Sequence, residues 1–496
     1  MSKETVRIRL EPLSQEVEAT RGALLSSILS QHGLEFPCGG TAQCGGCRVR
    51  VLGGRLAVTG PDTAVFTAAE LAEGWRLACQ ARAETPLVLE CGQWQMDVLT
   101  DHAVLAGGER RGLGIAIDLG TTTIAAQTID LATGSVLAVE TLLNPQSQFG
   151  SDVMSRVRAS LAGDDLTRVV RVALGQTIAR LAGGREQEVV EVVLVGNTVM
   201  HHLFAGLDVE PLAGTPFHSP HLGEQCFAPG ELDWPLAPQC RIRFLRCLGG
   251  FVGSDILAGI VAAGIGSAEG LQALVDLGTN GEIAIGNRHG IVCASTAAGP
   301  AFEAGAIRMG MRAVTGAISR VRLEDGTMRV SVIGDGKPRG ICGSGLVDAV
   351  AAGLEAKSIL SSGRIAGGTK VLPVREPVLL YQSDIRELQL AKAAIASGFR
   401  LLLKRLGRSA AEVESTSLAG AFGNYVRVGS AVGIGLLEVP AERIRAAGNT
   451  ALRGAGMLLL SGGEPMLPEI EHVSLAADAC FQDQFVECMS FPEAAE

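Results

Sequence analysis

The chain has 496 residues, too many for one hydrophobic core, and its 47% hydrophobic content can fill two or three. A net charge of −10 and only 4% aromatic residues argue against a nucleic-acid surface or an anionic membrane as partner. The first residues carry no apolar leader, no apolar run reaches bilayer length, and the twelve cysteines are spread along the chain. A cytoplasmic protein without a disulfide framework is expected.

Residues 5–10 (TVRIRL) alternate like a strand, and 16–19 (EVEA) can pair with them as a hairpin. Residues 22–31 read as a short amphipathic helix. A Gly/Cys-rich loop covers 37–47, RVRVLGG (48–54) returns to strand, and PLVLEC (86–91) closes the unit. This order is that of a β-grasp domain, expected over residues 1–98. Its loop, FPCGGTAQCGGC, holds Cys38, Cys44 and Cys47, and a fourth cysteine, Cys79, lies in RLACQA. Four thiolates suit a [2Fe–2S] cluster, and glycine lets the backbone approach the sulfides closely. Structural zinc is the alternative, but zinc sites usually pair two knuckles, and here the fourth cysteine stands alone. Plant-type ferredoxins place four residues between the first two ligands; five lie between Cys38 and Cys44, a spacing that resembles adrenodoxin-like ferredoxins. Cys91, in strand context, reads as packing.

A polar linker is expected over 99–112. From 113, LGIAIDLGTTTIAAQTIDLATGSVLAVE reads as a β-meander. Helical patterns follow at 152–184, then a buried strand at 191–196. A second meander opens at 274 with LVDLGTNGEIAIGNRHGIVCAST, followed by helical patterns near 344–358 and 383–407 and a strand at 415–421. Meander, helix, strand, helix thus occurs twice, which predicts an internal duplication with halves at 113–270 and 271–496.

Each half opens on the same signal, IDLGTTTIAA (117–126) and VDLGTNGEIAI (275–285). An Asp at a strand end can hold Mg²⁺ through water, and a Gly-Thr turn offers N–H and hydroxyl groups to phosphate oxygens. The later LAGAFGN (418–424) has small residues suited to adenosine lying against the backbone. No Walker sequence occurs. These residues resemble the acetate kinase/sugar kinase/Hsp70/actin superfamily. The resemblance implies Asp118 and Asp276 as catalytic, with Gly120, Thr121, Thr122 and Thr123 as the first phosphate motif. Gly278, Thr279, Asn280 and Gly281 match the second, and Gly420, Gly423 and Asn424 the adenosine motif. CGSGLVD (342–348) resembles the connecting-helix motif, with glycines where helices cross.

A ferredoxin domain followed by an actin-like ATPase resembles the ATP-dependent reductive activators of corrinoid proteins. NPQSQFGSDVMSR (144–156), VGNTVMHHLFAG (195–206), FVGSD (251–255), AGPAFE (298–303), GICGSGLVDA (340–349), LAGAFGNYV (418–426) and GNTALRGA (448–455) fit that family. The implied architecture is multidomain α+β and α/β: an N-terminal β-grasp [2Fe–2S] ferredoxin domain, then a duplicated actin-like (ribonuclease H-like) ATPase domain. The implied activity is one-electron reduction of a corrinoid protein or cobalamin-dependent methyltransferase from Co(II) to Co(I), with [2Fe–2S], ATP and Mg²⁺ as cofactors. A low-potential ferredoxin or flavodoxin is the implied donor, and a homodimer stays open. Better-known members carry a middle domain between ferredoxin and ATPase; the short linker here implies that it is missing or reduced.

The loop holding Ser295 and Thr296 is expected to face the corrinoid, with a hydroxyl near cobalt; an ordinary loop hydroxyl is the alternative. His201 and His202 read as core histidines. Cys247 and Cys342 read as buried thiols rather than ligands of a subunit-bridging [4Fe–4S] cluster, and Cys480 and Cys488 lack metal spacing. Two other functions remain: a small-molecule kinase, which leaves the ferredoxin domain unexplained, and an electron carrier or redox sensor with structural ATP.

Overall fold

The structure, a computed structural model, describes residues 4–11, 15–29, 34, 42, 47–91, 110–150, 152–278, 280–313, 316–333, 337–423, 425–475 and 478–493. Cys38, Cys44, Thr279 and Asn424 lie outside them.

The N-terminal sheet contains β1 (Thr5–Glu11), β2 (Gln15–Thr20), β3 (Arg48–Gly53), β4 (Trp75–Leu77) and β5 (Leu87–Cys91), in the order β2-β1-β5-β3-β4. Alternation decides which face of β1 is buried: Val6, Ile8 and Leu10 point into a core with Leu25, Leu29, Val49, Leu77 and Leu89. Each such side chain, fully buried, contributes about 1.5–3 kcal/mol. The helix that begins at Leu25 starts three residues after its apolar pattern suggested. Two further short helices, Gly60–Val65 and Ala68–Ala72, open on capping boxes at Thr59/Asp62 and Thr67/Glu70.

The second sheet is built from β6 (Leu113–Leu119), β7 (Thr123–Asp130), β8 (Val136–Leu143), β9 (Val189–Val195), β10 (Gln225–Phe227) and β11 (Arg241–Phe244). The third contains β12 (Leu271–Leu277), β13 (Gly281–Asn287) and β14 (Gly290–Thr296). Two small sheets follow, one of β15 (Ala317–Glu324), β16 (Thr327–Val332) and β17 (Gly340–Ile341), the other of β18 (Val371–Arg375) and β19 (Val378–Tyr381). The third sheet is then completed by β20 (Val413–Ala419), β21 (Ile444–Ala446) and β22 (Ile470–His472). Read from the meander side, β8-β7-β6-β9-β11 and β14-β13-β12-β20-β21 have one connectivity. In each, an antiparallel meander is followed by two parallel strands. The duplication expected from the two meanders is therefore present in the backbone. Strands β6, β9 and β12 are apolar on both faces because helices cover both sides.

Two helices tie the halves together. The Ser254–Ala263 helix follows the last strand of the second sheet, yet Ile256 and Ile260 pack with Leu274, Ala284 and Cys293 of the third. The Thr450–Ser461 helix follows β21 of the third sheet, yet Leu452, Ala455 and Leu459 pack with Ala116, Ile129 and Val193 of the second. The two helices cross at small residues: a Cβ on Gly454 would lie 1.9 Å from the Ala258 carbonyl oxygen. This corrects the expectation for CGSGLVD. Its helix, Gly343–Glu355, stays within the second half, where Gly345 lies against the Ile318 carbonyl of β15. Among the described residues no helix is long and apolar enough to cross a membrane.

Candidate functional site

Two of the four candidate cluster ligands are described, and strand register brings them together. Arg48 of β3 pairs with Leu77 of β4, so Cys47, just before β3, meets the residues just after β4. The Ala78 amide donates to the Cys47 carbonyl at 3.0 Å, and the Gln80 side-chain amide lies 3.9 Å from Cys79 Sγ. Both cysteines are buried in the ferredoxin-like core. Two thiols at one end of a sheet, with a polar N–H directed at one sulfur, fit an iron–sulfur cluster.

The two Asp-Leu-Gly-Thr segments occupy equivalent places. Asp118 is the penultimate residue of β6 and Asp276 that of β12; each is flanked by an antiparallel and a parallel neighbour. The first hairpin turn is clamped by two asparagines. Asn144 Nδ2 donates to the Gly120 carbonyl at 2.9 Å, and the Asn144 amide donates to the Thr122 carbonyl at 2.8 Å. Asn197 Nδ2 donates to Thr121 Oγ1 at 2.8 Å while its Oδ1 caps the Thr198–Ala205 helix. In the second turn the Gly278 amide donates to the Asn280 carbonyl at 3.0 Å, and the Asn280 side chain bonds Glu282. Thr123 and Gly281 are not turn residues: they begin β7 and β13. A Cβ on Gly281 would lie 1.8 Å from Ile395 Cδ1, so this glycine admits the Gln382–Arg405 helix.

Four carboxylates converge in the cleft, two of which the sequence reading did not single out. Asp255 stands in the first turn of the Ser254–Ala263 helix, and Glu282 faces Asp276 across β12 and β13. Burial, partly offset by a 2.8 Å bond from Asn449 Nδ2, pushes Asp118 up to about 6. Burial and then the Asp118 charge push Asp276 up to about 7. Asp255 and Glu282 are raised too, by burial first and then by neighbouring carboxylates. Mutual repulsion of this kind means that the two halves present their acids to one another. Such a set can receive a hydrated divalent cation.

Gly420 adjoins Asp276. Its φ is +85°, and a Cβ there would meet Asp276 Oδ1 and the Leu277 carbonyl, each at 2.5 Å. The short helix Gly420–Gly423 carries Phe422, which stacks on Phe302 with centroids 4.8 Å apart. Gly343 fits beneath: a Cβ would lie 1.7 Å from the Phe302 carbonyl oxygen. Glycine backbone thus stands next to Asp276, and the Phe422–Phe302 stack beside it in the chain is buried in the core.

Ser295 and Thr296 are not in a loop. Both belong to β14; Ser295 Oγ donates to Glu282 Oε1 at 3.3 Å, and Thr296 Oγ1 donates to the Gly281 carbonyl at 3.1 Å. His201 and His202 are fully buried, with His202 Nε2 2.6 Å from Ser219 Oγ and Nδ1 2.8 Å from the Thr198 carbonyl, as core histidines. Cys247 and Cys342 are buried, and burial pushes the Cys247 thiol up to about 12.

Comparison with known proteins places these features together. Residues 8–84 match a 2Fe-2S iron-sulfur cluster binding domain, 113–268 the RACo middle region, and 270–496 the C-terminal domain of RACo, the ASKHA domain. The corrinoid activation enzyme RamQ of Eubacterium limosum is 35% identical over 416 residues, 75% of this chain and 69% of RamQ. The chain belongs to the family of reductive activators of corrinoid proteins. Another relative, the corrinoid protein reductase of Methanosarcina barkeri named for Co(II) and methylated amines, is 27% identical over 383 residues, 70% of each chain. A solved reductive activator for a corrinoid, iron–sulfur protein superposes with a TM-score of 0.67 at 25% identity, covering 98% of both chains. The expectation of a missing middle portion is corrected: the family's middle region is residues 113–268, the first actin-like half.

Proposed function

We propose that this chain reduces the Co(II) form of a corrinoid protein or corrinoid-dependent methyltransferase to Co(I), one electron at a time, and couples that step to ATP. The observation that carries the reading is the pair of equivalent strand-end aspartates, Asp118 and Asp276, in a chain that opens with a cluster-binding fold. When bound, the cluster supplies a one-electron relay. Cys38, Cys44, Cys47 and Cys79 hold it in this reading. The donor is a low-potential ferredoxin or flavodoxin, and the protein works in the cytoplasm.

Asp118 and Asp276 orient a hydrated Mg²⁺, with Asp255 as a further oxygen ligand to its waters. Gly120, Thr121 and Thr122 present N–H and hydroxyl groups to phosphates, the second Asp-Leu-Gly-Thr motif serves them from the other half, and the Gly420–Gly423 backbone supports the adenosine. Glu282, held by Ser295, is placed to hold a proton beside the phosphates. Residues 113–270 and 271–496 act as two jaws, and nucleotide contributes through the difference in its affinity for their arrangements.

The test follows cobalt absorbance when the holoprotein, a corrinoid protein and a low-potential reductant are mixed with and without Mg²⁺·ATP. Co(I) is expected only with ATP, and both Cys44→Ala and Asp276→Ala abolish its formation. Undiminished reduction by Asp276→Ala would overturn the ATP coupling.

A further inference from the structure

We propose that Arg110, where the chain enters the first actin-like half, is the residue that couples nucleotide state to the ferredoxin arm. The proposal rests on the reading of Asp118 as part of the ATP site.

The Thr450–Ser461 helix arrives from the third sheet but lies on the second, so any relative movement of the halves is felt as shear along it. It is pinned to the first half at both ends. At its N-terminus Asn449 accepts the Leu452 amide through Oδ1 at 2.8 Å and donates through Nδ2 to Asp118 Oδ2 at 2.8 Å. Near its C-terminus, about 15 Å further on at 1.5 Å per residue, the Leu459 carbonyl accepts from Arg110 Nη1 at 2.5 Å. Arg110 Nη2 reaches Glu191 Oε2 of β9, also at 2.5 Å.

The guanidinium therefore bridges the two surfaces that slide. Glu191 is fully buried and is held on its other oxygen by Arg243 Nε at 2.6 Å, so it is a fixed post on the sheet. Leu459 O is one of the last helix carbonyls, at the negative end of the helix dipole, and accepts the capping Gly462 amide at 3.3 Å as well as Arg110. Gly114 of β6 leaves room for nothing larger beneath: a Cβ would lie 2.6 Å from Leu459 Cδ2. The helix is a rigid rod with Asp118 at one end and the start of the ferredoxin connection at the other. A change in the Asp118–Asn449 bond when nucleotide binds shifts the rod, and Arg110 passes the shift to the chain that leads to the cluster. Arg110 acts through the helix and Glu191 and is a positioning residue.

The test uses full-length holoprotein with Arg110→Ala, and with Arg110→Lys as the milder variant, because an ammonium keeps the charge but loses the planar fork that spans two acceptors. ATP hydrolysis, ATP-dependent corrinoid reduction, and amide hydrogen exchange at 110–119 and 450–462 are measured with and without a non-hydrolysable ATP analogue. Hydrolysis is expected to stay within about two-fold, while ATP-dependent reduction falls about ten-fold, the size of an ordinary coupling energy. In wild type the analogue alters exchange at both ends of the helix; in Arg110→Ala it alters only the Asn449 end. Equal reduction and an unchanged exchange response in both variants would overturn the proposal. Asp118→Asn separates the two readings. If it leaves hydrolysis and exchange as in wild type, the nucleotide site has been misplaced and the Arg110 proposal falls with it.

Discussion

At the scale of single residues, the cleft acids dominate. Burial holds Asp118 up at about 6 and, with the Asp118 charge, Asp276 at about 7, against about 3.9 for a free Asp. Between those limits the folded chain holds more protons than the unfolded chain, so stability falls as pH rises from about 4 through 7. A divalent cation removes the penalty by replacing the protons. The melting temperature of metal-free protein should therefore drop between about pH 4 and 7, and Mg²⁺·ADP should flatten that drop. Scanning fluorimetry across pH checks both. Gly420 supports the same site by absence. Gly420→Ala places a methyl against Asp276 and forces a left-handed alanine, costing about 1–2 kcal/mol. ATP hydrolysis should fall further than stability does, because the displaced group is Asp276. Asp118 and Asp276 stood out in the sequence because a short segment repeated, and Gly420 because LAGAFGN is dense in small residues. Asp255 and Glu282 were not singled out: FVGSD (251–255) and VDLGTNGEIAI (275–285) contain them without marking them as acids of the site, and only the meeting of the two halves brings them to the others.

At the scale of elements, local signals fixed strands well and connections poorly. The meanders at 113 and 274 and the strands near 191 and 415 follow from apolar runs bounded by glycine. Ser295 was misread as a loop residue because Ala-Ser-Thr carries weak strand preference; its pairing with Glu282 in β13 decides otherwise. The crossing helices were missed for a different reason. Each packs on the sheet of the other half, and no periodicity within a helix says which sheet it will cover. Asn197 shows how one residue can serve two elements, since it caps the Thr198–Ala205 helix and holds Thr121 in the hairpin turn. Asn197→Ala should cost about 1 kcal/mol as a lost cap. It should also weaken nucleotide binding, because the turn loses its clamp. Asn197→Ser should keep the cap but not the bond to Thr121, since serine has no second polar arm beyond the capping oxygen. Calorimetric titration with ADP separates the two effects.

At the scale of the whole molecule, cluster and nucleotide sites lie in separate cores, one closed by Ile8, Leu29 and Leu77 and the others built around the two duplicated sheets. Separate cores mean that each site can be emptied without unfolding the other. Cys79→Ser should abolish the visible absorption of the cluster and all corrinoid reduction. The nucleotide halves, which share no core residue with Cys79, should keep basal ATP hydrolysis within about two-fold of wild type. The opposite lesion, Asp276→Ala, should leave the cluster spectrum intact and its reduction by a small chemical reductant unchanged, while ATP-dependent delivery to the corrinoid protein stops. A small-molecule kinase would be indifferent to the first lesion in its product formation, and a plain electron carrier would be indifferent to the second. Only a protein in which ATP drives the electron step loses corrinoid reduction in both cases while retaining the other half-reaction in each.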